Sequence, residues 1–173
     1  MTISFRPQTA RAVASRAPSL AQFGLNLRDW LHHLRTLSTK AALSAAVSHR
    51  PPRLRAKFAD GEIADAFLAA QVEYLCHHAG LRPPSWVNAA DYVLDTPWFG
   101  STVADKSSLL RALLIRDAAP EFASRNLFTT SELTWKPRRG RPPKSYVEKL
   151  EVNRLRQQRW RQRLRLTRPS ESA

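Results

Sequence analysis

The residues with the clearest chemistry lie late in the chain, in Lys136-Pro137-Arg138-Arg139-Gly140-Arg141-Pro142-Pro143-Lys144. Five cations surround one Gly and three Pro. Proline holds φ near about −65° and offers no N–H, and like charges at this spacing repel a compact state. The segment is expected to be extended and solvated when free, presenting its cations to a polyanion. Arg154, Arg156, Arg159, Arg161, Arg163 and Arg165 extend the same chemistry downstream. The positive charge is concentrated there rather than spread over the chain. Of the formal +14, residues 136–168 hold 13 Lys and Arg against two Asp and Glu, whereas residues 1–135 hold 15 against 11. Such segregation is the electrostatic footprint of contact with a phosphate backbone.

The tetrapeptide Arg139-Gly140-Arg141-Pro142 resembles the AT-hook, a short DNA-binding motif. The resemblance implies that Arg139 and Arg141 lie along the floor of a narrow minor groove in AT-rich duplex. The residue types suit that role. Narrow A-tract grooves are strongly negative and attract inserted Arg. Gly140 has no Cβ, so its backbone can approach base edges. Pro142 and Pro143 stiffen the exit and reduce the entropy lost on binding. Arg138 and Lys144 are then placed for flanking phosphates. An Arg-rich helix also enters RNA, folding as it binds, so RNA is the rival polyanion. Gly140 within Arg-Gly-Arg-Pro is the feature that favours DNA.

The tail after this linker has its own helical signal. Ser145 and Glu148 form a Ser-x-x-Glu capping box, and a helix is expected from Tyr146 to about Leu166. Val147, Leu150, Leu155, Trp160 and Leu164 make a weak apolar stripe, and the arginines cover the remaining surface. Like charges four residues apart destabilise an isolated helix. The segment is therefore expected to be partly helical when free, and ordered by phosphate neutralisation.

The body that precedes the tail reads as all-α, a bundle of five to seven helices over residues 19–135, with residues 1–18 as a flexible basic arm and 169–173 as a disordered end. The chain is 43% apolar, enough for a core. Arg6, Arg11, Arg16 and Arg28 precede the first acid, Asp29. That is also how an organelle transit peptide reads, although the arm is the preferred reading. Ser19 and Gln22 form a capping-box pattern before Leu20, Phe23, Leu27, Trp30, Leu31, Leu34 and Leu37, one helical stripe. Ser38 is placed to cap an Ala-rich helix through Ala41 to Val47, stopped by Pro51-Pro52. Arg50, Arg53, Arg55 and Lys57 follow on a connector expected to be solvated. Asp60 opens the most apolar helix, closed by Gly80. Ser85 begins a short amphipathic segment through Leu94. Ser107 or Ser108 caps a helix from Leu109 to Asp117 whose Leu110, Leu113 and Leu114 are expected to face inward. Pro120 starts another short helix by fixing φ at its first position. Asn126 tolerates the left-handed region at its end, and residues 131–135 close the domain.

Within this body, Ala70-Gln71-Val72-Glu73-Tyr74-Leu75, Gly80-Leu81-Arg82-Pro83-Pro84-Ser85-Trp86, Asp95-Thr96-Pro97-Trp98-Phe99, Leu109-Leu110-Arg111-Ala112-Leu113-Leu114 and Ala119-Pro120-Glu121-Phe122-Ala123-Ser124-Arg125-Asn126-Leu127-Phe128 resemble bacterial antitoxin or regulator partners of small toxin operons. The resemblance spans residues 60–128. It implies a domain that binds another protein, a toxin or other enzyme, joined to a DNA-binding module. The usual helix-turn-helix reader is not apparent. Trp98 and Phe99 serve either as core plugs, the simpler reading, or as a partner-facing anchor. Trp86, Trp98 and Phe99 are the anchors expected at a protein interface, where Trp dominates binding energy.

Reacting groups for catalysis are few. Five scattered Gly residues form neither a P-loop nor a dinucleotide fingerprint. Cys76-His77-His78 cannot converge on one ion from a helix, because neighbouring side chains point about 100° apart. Asp91 and Asp95 are spaced to share a helix face, but capping and solvation explain them. No catalytic residue, cofactor or metal is expected. No run reaches the roughly 18 apolar residues of a membrane span. The expected protein is cytoplasmic, associated with the nucleoid, non-catalytic, and engaged with nucleic acid, with a protein partner or with a second copy of itself. A peptide of residues 136–168 should gain helicity by circular dichroism when AT-rich duplex is added. An unchanged spectrum at saturating duplex would contradict the coupling of folding to phosphate contact.

Overall fold

A computed structural model describes residues 6–100 and 107–129. All of them belong to the unit that ends at Arg138. The stretch 131–135, the AT-hook-like linker 136–144, the Arg-rich tail 145–168 and the end 169–173 lie outside the described residues.

The described chain is mostly helical. Its elements are α1 (Ala10–Ser15), α2 (Leu20–Leu34), α3 (Lys40–Ser48), α4 (Gly61–Ala79), two 3-10 turns (Ser85–Asn88 and Ala90–Tyr92), β1 (Trp98–Phe99), α5 (Ser108–Asp117), α6 (Pro120–Ala123) and β2 (Leu127–Phe128). Among the described residues, no helix is long and apolar enough to cross a membrane.

The N-terminal arm is a correction from Ala10 onward. Thr9 caps α1 by accepting the Ala12 N–H at 3.1 Å. Ala10, Val13, Ala14 and Ala17 are fully buried in the main core. These small residues let α1 lie close against α2. The buried Asn26 side chain fixes that contact by donating to the Val13 carbonyl at 3.2 Å. The body therefore begins well before residue 19.

Helix α2 starts where the cap predicts. Ser19 Oγ accepts the Gln22 N–H at 3.2 Å. The Gln22 side chain reaches forward to Asn26 at 2.9 Å, so half of the capping box forms. Phe23, Leu27, Trp30, Leu31 and Leu34 are buried. Thr39, one residue past the expected Ser38, caps α3.

Helix α4 is the axis of the fold. Thirteen of its 19 residues are buried. One side packs Ala64, Leu68, Val72 and Leu75 against α1, α2 and α3. The other packs Ala66, Ala70 and Tyr74 against Leu94, Phe122 and Leu127. Its end is the expected glycine stop. Gly80 sits at φ +62°, its N–H bonds the His77 carbonyl at 3.0 Å, and the Leu81 N–H bonds that of Cys76 at 2.8 Å.

The connector before α4 is pinned through its backbone, while Arg50, Arg55 and Lys57 stay exposed as expected. Asp65, buried within α4, accepts the Leu54 N–H at 3.0 Å and the Arg55 N–H at 3.1 Å. Burial pushes its carboxyl above the ordinary value; the same amides, with Arg53 and Arg55, oppose that shift. Gly61 permits the contact, because a Cβ there would stand 2.1 Å from the Leu54 carbonyl oxygen.

A short parallel ladder was not anticipated in the all-α reading. Trp98 pairs with Leu127 and Phe99 with Phe128. Asn126, at φ +59°, turns the chain into this ladder, and its side chain donates to the Leu94 carbonyl at 2.7 Å. Pro120 opens α6 as expected. Helix α5 departs from expectation: Ser107 caps it, but none of its residues is buried. Leu109 is 71% exposed and Ile115 51%. Leu110 and Leu114 are half-buried, and Leu113 is exposed.

Removing the Asp65 carboxylate leaves two inward amides without acceptors, at about 1–3 kcal/mol each. Asp65→Ala should lower stability by about 3 kcal/mol in urea titration. Gly61→Ala should cost about 2 kcal/mol or more through overpacking against Leu54. A change under about 0.5 kcal/mol in both variants would show that the connector is not held by this contact.

Candidate partner-binding surface

Two adjoining concavities share Asp60, Ile63 and Trp98. The first is an apolar groove of about 460 Å³ between α2 and α4. Leu20, Phe23, Gly24 and Leu27 form one wall; Asp60, Ile63, Ala64 and Phe67 form the other. Both sets follow the i, i+3, i+4, i+7 spacing of a single helix face. Leu20 therefore belongs to the stripe seen in the sequence yet stays 40% exposed, because the groove is open above it. Trp98 is held at the groove by the β1–β2 ladder. Its N–H donates to the Asn126 carbonyl at 2.8 Å, and its ring packs with Ile63 and Phe67 on the smaller core.

The second concavity, of about 470 Å³, is polar and acidic. Asp60, Glu62 and Asp95 line it, with Arg55 as the one basic lining residue among the described residues. None of these carboxylates meets a cation among the described residues. The other described carboxylates are engaged. Asp65 binds amides, Asp91 binds Arg50 and Arg53, and Glu73 binds Arg125. Asp29 lies near Arg28, Asp117 pairs with Arg116, and Glu121 meets the His77 ring at 2.7 Å. Asp60 also stands at φ +62° without making a side-chain cap. Asp60 and Glu62 suit the positive end of α4. Asp95 has no such local reason to be there.

The expected anchors separate. Trp86 is a correction: it is 6% exposed, packs on Tyr92, and donates its Nε1–H to the Val47 carbonyl at 3.1 Å. It ties the first 3-10 turn to α3 and offers nothing to a partner. Trp98 and Phe99 are half-buried. Phe99 stacks on Phe128 at 5.2 Å, with the Arg111 guanidinium 5.5 Å from its ring. Trp98 packs on the smaller core, which meets the core reading for that residue, whereas Phe99 packs on Phe128 outside both cores.

Asp91 and Asp95 do not share a helix face. The backbone is extended at Ala89 and Val93, so the 3-10 turn between them does not propagate. Asp91 turns to Arg50 at 3.4 Å and Arg53 at 3.1 Å. The Arg53 guanidinium also sits 4.1 Å from the Tyr92 ring. The basic connector is thus partly neutralised by the body. Arg125, which the sequence did not single out, is almost fully buried. It bonds Glu73, the Glu121 carbonyl and the Val87 carbonyl, joining α4, α6 and the first 3-10 turn. A buried Arg gives no periodic signal, and its carbonyl partners are invisible in sequence.

The DNA-contact residues Arg138, Arg139, Gly140, Arg141, Pro142, Lys144, Arg154, Arg156, Arg159, Arg161, Arg163 and Arg165 lie outside the described residues. Cys76, His77 and His78 diverge as helical geometry requires. Cys76 is buried, His77 faces Glu121, and His78 packs on the Tyr74 ring at 4.2 Å. Among the described residues, no group of three His, Cys, Asp or Glu is placed to hold a metal ion. Burial pushes the Cys76 thiol up to about 11, with Glu73 adding to the shift. Only the thiolate attacks disulfide reagents. Cys76 should therefore resist labelling by an aromatic disulfide at pH 8 in the native protein and react at once in denaturant. Native-state labelling within minutes would contradict its buried placement.

Comparison with protein-family models, with curated proteins and with solved structures finds no match to this chain.

Proposed function

We propose that this chain is a non-catalytic DNA-binding accessory or regulatory protein of bacterial type, in which the basic tail grips DNA and the helical body holds a protein partner. The observation that carries the reading is the segregation of charge, 13 Lys and Arg against two acids in residues 136–168. The Arg-Gly-Arg-Pro-Pro order supports minor-groove contact, with Arg139 and Arg141 on the groove floor and the downstream arginines on phosphates. A nucleoid-associated, cytoplasmic location follows from that partner. The open apolar groove beside Trp98 favours a second emphasis, an antitoxin or adaptor whose main task is to hold an enzymatic partner. Co-purification of a stoichiometric enzyme with the full chain would give that emphasis priority.

The DNA reading is tested by retention on AT-rich duplex. Truncation after Trp135 should abolish it; equal retention by the truncated chain would sink the proposal. With about eight phosphates neutralised, log K should fall against log salt with a slope of roughly −7. A slope near about −1 would remove the tail as the grip. Gly140→Ala should weaken AT-rich binding more than Lys149→Ala, because a Cβ obstructs approach to the groove floor. Preference for structured RNA in direct competition would transfer the tail to RNA.

A further inference from the structure

We propose that the groove between α2 and α4 receives an amphipathic helix of a partner protein, with a bulky apolar face bordered by Lys or Arg. The inference deepens the partner-binding half of the proposed function and rests on it. Three observations carry it.

The first is geometry. Two helix faces of matching periodicity stand side by side, with Leu20 and Gly24 exposed and Ile63 and Phe67 half-buried along the groove, a surface that a third helix can cover. The second is Gly24. Nothing lies within 4 Å of where its Cβ would be. The missing side chain leaves room on the α2 wall of the groove for an anchor side chain of the occupant. A helix-interior Gly costs about 1 kcal/mol relative to Ala, and at this position the cost is offset by no packing requirement of the fold. The third is charge. Asp60, Glu62 and Asp95 stand at the Trp98 end of the groove, against Arg55 alone among the described residues. They favour a cation on the occupant, set beside its apolar anchor. The same carboxylates repel a phosphate backbone, so nucleic acid is not the occupant.

The test uses the full chain and a fluorescein-labelled synthetic helical peptide with Leu and Trp on one face and Lys on the other. The control is a scrambled peptide of the same composition without an amphipathic face. Binding is read by fluorescence anisotropy. The amphipathic peptide should bind, and the scrambled one should bind at least about tenfold more weakly. Gly24→Leu should weaken amphipathic binding by about tenfold or more, while its thermal midpoint stays level or rises, since Leu is the better helix former. Glu62→Gln combined with Asp95→Asn should weaken binding about fivefold and flatten its salt dependence. This surface pair keeps the test decisive if Gly24→Leu alters the fold.

Equal binding of both peptides would reduce the effect to charge alone and overturn the proposal. Undiminished binding to Gly24→Leu would overturn it as well. Self-association of the chain that Gly24→Leu abolishes would assign the groove to a second copy instead. Duplex retention is measured on the same samples. Its failure in the unaltered chain counts against the DNA reading alone, whereas intact retention with peptide binding blind to Gly24 counts against the groove alone.

Discussion

The fold depends on one buried carboxylate. Asp65 turns inward from α4 and collects the amides of Leu54 and Arg55. A carboxylate withdrawn from water is costly unless hydrogen-bonded, and here both oxygens are occupied. The contact fixes the connector between α3 and α4 onto the longest helix among the described residues. Arg53, beside the clamp, is thereby brought to Asp91 and the Tyr92 ring. The first 3-10 turn is held in turn by Trp86 on Val47 and by Arg125 on Val87. Polar contacts of long sequence separation thus fasten segments that have little regular structure of their own.

Around that clamp, α4 serves two cores at once. The larger takes α1, α2, α3 and Trp86; the smaller takes Leu94, Phe122 and Leu127. The groove arises where these cores meet. Phe23 and Leu27 fill the α2 side, Ile63 and Phe67 the α4 side, and Gly24 leaves the space between them unfilled. Trp98 is set at this junction by its N–H bond to the Asn126 carbonyl and by its pairing with Leu127. One aromatic side chain therefore contributes to the smaller core and to the accessible surface together.

The carboxylates show how pairing separates structural acids from available ones. Asp65, Glu73, Asp91 and Glu121 each meet a defined partner and hold elements together. Asp60, Glu62 and Asp95 meet no cation among the described residues and surround one concavity. The sequence thus carries a basic tail and the described residues an acidic concavity. The two partners proposed above, a polyanion and a cationic helix, differ in charge accordingly.

Local signals were legible in the sequence because they act over a few residues. The Ser19 cap, the Gly80 stop, the Pro120 start and the left-handed Asn126 all depend on nearby amides or on the allowed φ of one residue. The composition of the tail is equally a property of sequence alone, since charge is additive along the chain. Tertiary structure decided the rest. Ala10, Val13 and Ala14 look like a loose arm until α2 is beside them, and the leucines of α5 show the period of a buried face without being buried. Trp86 is an exposed anchor only until Val47 is found behind it. Burial and ion pairing are set by groups dozens of residues away, so periodicity fixes which face of a helix is apolar, while the fold fixes whether anything covers it.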